Sequence, residues 1–167
     1  MTPLSPPSRR QALQTLGGLL AAGAGASAVA AEPPRTLPPS TSLRAEIAAA
    51  LAVRQPLVVM VSLHGCPWCK LVREHYLAPM HAEEGLPVVQ VDMRSTRATQ
   101  TPDGQASTHD ALIRAWGVKV APTLLFLGPG GREVAERLPG GSPDFYAGYL
   151  DQRLEQARRA LAPPTGG

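Results

Sequence analysis

The chain has 167 residues, 44% of them hydrophobic, only two cysteines and a formal net charge of +3. Once a leader is discounted, that length holds one hydrophobic core and not two, and two cysteines fall short of the four or more of a disulfide framework. Removing Arg9 and Arg10 with the leader leaves 14 basic against 13 acidic residues, mixed along the chain with no basic block; that balance argues against a nucleic-acid or anionic-membrane binder.

Residues 1–31 read as an export leader: a basic start at Arg9-Arg10, an apolar stretch from Leu13 to Val29, and small residues at Ala28, Ala30 and Ala31. Ser8-Arg9-Arg10-Gln11-Ala12-Leu13-Gln14 resembles the twin-arginine signal in its Ser, both arginines and Leu, and departs from it at Ala12 and Gln14. A general secretory signal is the alternative, and either route leads out of a bacterial cytoplasm. The Gly-rich, mildly apolar stretch 16–25 argues against a permanent membrane anchor. Cleavage after Ala30 would leave 137 residues.

Residues 32–39 are proline-rich and read as an extended spacer, with order expected from Ser40. Thr41 or Ser42 caps a helix that places Leu43, Ile47, Ala50 and Leu51 on one face and ends at Gln55-Pro56. Residues 56–63 are almost continuously apolar and β-branched, the pattern of a central strand buried on both sides. His64-Gly65 breaks that run. The sequence Cys66-Pro67-Trp68-Cys69 then opens a helix carrying Leu71, Val72 and Tyr76, with Pro79 as its end or a kink. Two cysteines so spaced can close a small disulfide ring and reopen it under attack by another thiolate, which suits electron-pair exchange more than structural stapling.

Residues 86–92 form a second strand, and the polar stretch 95–107, with a turn at Pro102-Asp103-Gly104, is expected as a surface loop. Ser107-Thr108-His109-Asp110 has capping-box spacing before a short helix with Leu112, Ile113 and Trp116, closed by Gly117. Residues 123–127 make a third strand. A turn at residues 128–131 leads to an expected edge strand over 132–138. The last helix starts at Ser142-Pro143-Asp144 and is expected to share Phe145, Tyr149, Leu150 and Leu154 on one face; residues 162–167 are a tail. Strands joined through helices are expected to pair in parallel, and the final tight turn demands an antiparallel pair. The fold class is therefore α/β, a mixed four-stranded sheet flanked by helices on both faces.

The cysteine loop after a central strand, followed by Gly117-Val118-Lys119-Val120-Ala121-Pro122-Thr123 before another strand and then by Gly130-Gly131-Arg132-Glu133, resembles the thioredoxin superfamily over residues 40–161. The resemblance implies that Pro122 is cis and faces the cysteines, and that Ala121 offers its backbone to a substrate chain. It implies Cys66 as nucleophile, its thiolate favoured at a helix start, and Cys69 as the resolving thiol. Pro67 fixes the first turn, and Trp68 shields the site or meets partners rather than core residues. The redox-active Cys66–Cys69 pair is the whole chemistry, with no separate cofactor and no metal. The buried acid and the neighbouring lysine that many relatives use to deprotonate the resolving thiol are replaced by Met60 and Val88. That leaves water, His64 or Glu74 to take the proton, while His75, His81 and His109 read as surface residues.

Gly65-Cys66-Pro67-Trp68-Cys69, Gly130-Gly131-Arg132-Glu133 and the stretch 140–146 look like periplasmic thioredoxin-like reductases of bacterial sulfur-oxidation systems. The expected activity is periplasmic exchange of a dithiol with protein disulfides, preferring reduction because Trp68 stands where a His would favour an oxidant. A membrane-embedded dithiol donor would regenerate the pair. Alternatives are a soft-metal carrier such as one for Cu(I), using the same thiols, and a non-catalytic binding domain in which Cys66 is buried and inert.

Overall fold

Every residue of β1 (Leu57–Ser62) is buried, as an apolar run of β-branched and long side chains requires of a strand covered on both faces. The computed structural model describes residues 35–140 and 143–163. The leader, the start of the spacer, Gly141-Ser142 and the end of the tail lie outside the described residues. The sheet has the order β2-β1-β5-β6. β2 (Val88–Asp92) runs parallel to β1, with Ser62 opposite Asp92. β5 (Thr123–Leu127) lies on the other side of β1, and β6 (Leu138–Pro139) on the outer edge of β5.

β5 is antiparallel to β1, with Val61 opposite Thr123, whereas a helix-linked strand was expected to be parallel. The reason is where the connection runs. β5 begins beside the end of β1, so the chain leaving β2 stays at that end of the sheet and α4 (His109–Ala115) never returns it to the opposite end.

Alternation along the strands builds two cores. Val59, Val61, Val89, Val91, Leu125 and Leu127 face α1 (Leu43–Ala52) and α4. Val58, Met60, Val88, Leu124 and Phe126 face the cysteine-bearing helix and α5 (Tyr146–Leu161). The cysteine-bearing helix runs as α2 (Pro67–Leu71), a π-helical segment (Val72–Leu77) and α3 (Ala78–Glu83). Pro79 neither ends it nor breaks it. The Ala78 N–H already bonds back to the Arg73 carbonyl, a wide turn that brings Pro79, which has no N–H, into the first turn of α3.

Several local expectations change. The stretch 95–107 is no plain loop: β3 (Ala98–Gln100) and β4 (Ala106–Thr108) form a hairpin around the Pro102-Asp103-Gly104 turn. The cap of α4 is Thr108 rather than Ser107, accepting from the Ala111 N–H. Gly117, at φ 66°, ends that helix in the left-handed conformation glycine tolerates. The expected strand over 132–138 shrinks to β6, because consecutive Val134 and Ala135 are both buried and cannot alternate. Arg137 further pins this stretch by pairing with Glu133 and donating to the Trp116 carbonyl at 2.7 Å. In α5 the buried face is Tyr146, Leu150, Leu154 and Ala157, leaving Phe145 and Tyr149 exposed. Order also begins before Ser40: Leu37 is buried, and Pro38 and Ser40 hydrogen-bond to Gln90 on the outer edge of β2.

His109, expected on the surface, is fully buried. Its Nδ1 accepts the Asp92 N–H at 3.0 Å, so the neutral ring carries its proton on Nε2 and donates to the Ser40 carbonyl at 2.8 Å. One side chain thus joins the end of β2, α4 and the entry to α1. His81 is half-buried against the Leu86 carbonyl, and of the three histidines expected on the surface His75 alone is exposed. Replacing His109 with Leu leaves two backbone groups unpaired, and a loss of about 2–4 kcal/mol is expected in urea unfolding. A loss under about 1 kcal/mol would mean that water replaces the bridge.

Candidate active site

β1 delivers the chain to the C-terminal end of the sheet, where Gly65 at φ 73° turns it and the Cys66 N–H bonds to the Leu63 carbonyl at 3.2 Å. Cys66 is then the N-cap of α2, in extended conformation, with Pro67 in the first turn where no N–H is needed. Its sulfur accepts the Cys69 N–H at 3.1 Å. A cap normally offers an oxygen; here a sulfur takes the helix-end donor.

The Ala121–Pro122 bond is cis, and it places the Ala121 carbonyl 3.9 Å from the Cys66 sulfur, within reach of the S–H. Thr123 braces the turn by donating to the Val120 carbonyl at 2.8 Å. Cys66 is partly exposed and Cys69 is buried, and both are free thiols. A buried Cys66 is therefore not what the fold presents. Trp68 packs edge-on to Tyr146 at 5.5 Å, and Tyr146 tilts against Tyr76 at 5.3 Å, so Trp68 is a half-buried wall rather than a free surface group.

Gly140 completes the site by close approach. Its N–H bonds to the Pro122 carbonyl at 2.7 Å, and a Cβ there would lie 2.8 Å from the Trp68 ring and 2.9 Å from Pro122. Gly140→Ala must therefore push apart the two walls of the site. A fall of roughly threefold to tenfold in the rate at which Cys66 reacts with a peptide disulfide is expected, with about 1–3 kcal/mol lost in stability. Unchanged kinetics would mean that Trp68 yields freely.

Burial, and after it Cys66, pushes the Cys69 thiol from 9.0 up to about 11. Met60 and Val88 lie in the same apolar core cluster as Cys69, surroundings that disfavour a charged thiolate. The Leu63 backbone and the Ser62 side chain oppose the effect as hydrogen-bond partners of Cys69. Ser62 escaped the sequence reading because it closes an apolar run. Its signal was being the one hydroxyl in that run, immediately ahead of the cysteine loop. His64 is exposed and lines a groove beside Cys66; Glu74 is half-buried outside that groove. Neither is hydrogen-bonded to Cys69 among the described residues.

The groove has a volume of about 990 Å³ and is walled by Cys66, Lys70, Arg73, Asp92 and Arg94, among others. Among the described residues no group of three or more His, Cys, Asp or Glu side chains is placed to hold a metal ion. No helix among them is long and apolar enough to cross a membrane.

The sequence profile of the thioredoxin-like domain family matches residues 43–157. Among solved structures, the chain is similar to the periplasmic thioredoxin SoxS from Paracoccus pantotrophus at 23% identity, covering 62% of this chain and 99% of that one with a TM-score of 0.42. It is similar to Trxlp from Edwardsiella tarda EIB202 at 24% identity, over 68% and 98% of the two chains, TM-score 0.45. Thioredoxin O2 from Arabidopsis thaliana matches at 17% identity over 68% and 93%, TM-score 0.46. No curated protein sequence matches the chain.

Proposed function

The chain belongs to the family of thioredoxin-like domains, thiol:disulfide oxidoreductases, and on that premise we propose that it is a periplasmic enzyme that reduces protein disulfides through Cys66 and Cys69. The observation that carries the reading is the asymmetry of the pair. A partly exposed Cys66 sulfur receives a helix-end N–H and faces the Ala121 carbonyl beside Pro122, while Cys69 waits buried one turn behind.

The chemistry follows from that order. The Cys66 thiolate attacks one sulfur of a substrate disulfide; a new S–S bond forms, the old one breaks, and the departing sulfur takes up a proton. Ala121 presents its backbone to the bound chain. Cys69 then loses its proton and attacks the Cys66 sulfur, which closes the Cys66–Cys69 disulfide and releases the second substrate thiol. The protein has given two electrons, and a dithiol donor must return them. We assign that donor to the membrane, because a reductant in an oxidising compartment needs electrons from the cytoplasmic side. Export rests on the leader-like residues 1–31, and the reducing direction on Trp68 in place of a charge-bearing His.

Replacing Cys69 with Ala is expected to hold substrates on Cys66 as mixed disulfides. These would appear on non-reducing gels of periplasmic extract and disappear with reductant. If Cys69→Ala collects no reducible adducts, the reductase reading fails.

A further inference from the structure

The groove beside Cys66 carries an unbalanced charge. Lys70 and Arg73 reach it from the cysteine-bearing helix and Arg94 from the turn after β2, and none of the three forms an ion pair among the described residues. Its one carboxylate is Asp92. Gln90 stands between that acid and Arg73: its amide oxygen accepts from the Arg73 guanidinium at 2.9 Å, and its amide nitrogen donates to Asp92 at 2.6 Å. The guanidinium is thus held in place by a neutral group, and its charge remains available.

Arg94 is treated similarly. Its backbone, in the left-handed region at φ 60°, donates to Asp110, whose carboxylate is already paired with Arg114 at 2.8 Å. The exposed Arg94 side chain is left to face the groove. His64 on the same wall adds charge only when protonated.

We propose that this groove makes the enzyme selective for protein disulfides whose cysteines are flanked by acidic residues, which would lie against Lys70, Arg73 and Arg94 while their sulfur meets Cys66. The inference rests on the oxidoreductase reading and supplies its substrate class. Each exposed charge pair contributes little alone. Three cations of one sign in a groove with protein walls act together, and they act on encounter as well as on binding.

The test uses disulfide peptides identical except for Glu, Gln or Lys beside the cysteines. Each rate of reduction by the protein is divided by the rate with dithiothreitol, a dithiol with no charged substituent that attacks as its thiolate, as Cys66 does, to remove intrinsic reactivity. The Glu peptide is expected to react about tenfold faster than the Gln peptide at low salt, a modest share of what steering can give. That advantage should shrink to about twofold at 0.5 M salt, where screening is strong. In a Lys70→Gln/Arg73→Gln/Arg94→Gln variant the Glu-to-Gln ratio should approach one. The salt titration of the unaltered protein needs no variant and stands if the triple variant does not fold.

Equal rates for the three peptides, or a Glu preference indifferent to salt, would overturn the inference. Neutral 4,4′-dithiodipyridine separates the two levels. If it still oxidises Cys66 and Cys69 while the charged peptides react alike, only the substrate class falls; if it does not, the oxidoreductase reading falls and takes the inference with it.

Discussion

Cys66→Ser is expected to abolish disulfide reduction, lowering the rate with any peptide disulfide by about a thousandfold or more, because a hydroxyl stays protonated where a thiol ionises. The substitution removes one sulfur and leaves the scaffold: Pro67 still opens the helix, serine is a better cap than cysteine, and Pro122 and Gly140 are untouched. Folding stability should therefore hold within about 1 kcal/mol or rise slightly. The loss belongs to the chemistry. Cys69→Ser should behave differently, reacting once at Cys66 at near-normal rate and then stopping as the mixed disulfide. Stopped-flow oxidation followed by mass measurement distinguishes the two variants. If Cys66→Ser instead forms the adduct and Cys69→Ser does not, the roles assigned from exposure are reversed.

The asymmetry behind that prediction was legible in the sequence only in part. Cys66-Pro67-Trp68-Cys69 after an apolar run put the cysteine loop at the start of a helix, because a buried central strand must end at one end of the sheet and a proline in the first helical turn fixes where the helix begins. Pro122 was legible through resemblance and is cis. What failed had non-local causes. The direction of β5 depends on which end of the sheet the β2–α4 connection occupies, and nothing in residues 93–122 records it. His109 became a core residue because its ring satisfies Asp92 and Ser40, whose sequence distances of 17 and 69 residues no local pattern spans. Around the start of α5 Phe145, Tyr146 and Tyr149 are all aromatic, and periodicity alone selected the wrong pair. Tyr146 is inside because Trp68 and Tyr76 are there to receive it. Ser62 shows the same limit at the site itself, since a hydroxyl matters there only once Cys69 is packed beside it.

The pH dependence of the second half-reaction should be steep, because the fold withholds the base that Cys69 needs. Its thiol, pushed up to about 11 chiefly by burial, leaves about one molecule in ten thousand as thiolate at pH 7. In the mixed disulfide the Cys66 sulfur is bonded and its raising influence is lost, but burial in the apolar core remains. Closure of the ring should therefore accelerate close to tenfold per pH unit from 7 to 9, while attack by Cys66 in the first half-reaction follows its own profile. Single-turnover release of a fluorescent thiol peptide from the isolated mixed disulfide measures it directly. A flat profile over those two units would show that a base such as His64 or Glu74 moves into reach once substrate is bound. Stability gives a second reading of the same group. The folded thiol holds its proton more tightly than the unfolded one, so between pH 9 and 11 the folded state binds more protons and is destabilised as pH rises, by up to about 3 kcal/mol in the reduced protein. Below pH 9 both states keep the proton and stability does not change with pH through this group. Cys69→Ala should remove that share of the alkaline decline in urea titrations, and an identical decline in both proteins would place the burden on groups other than Cys69.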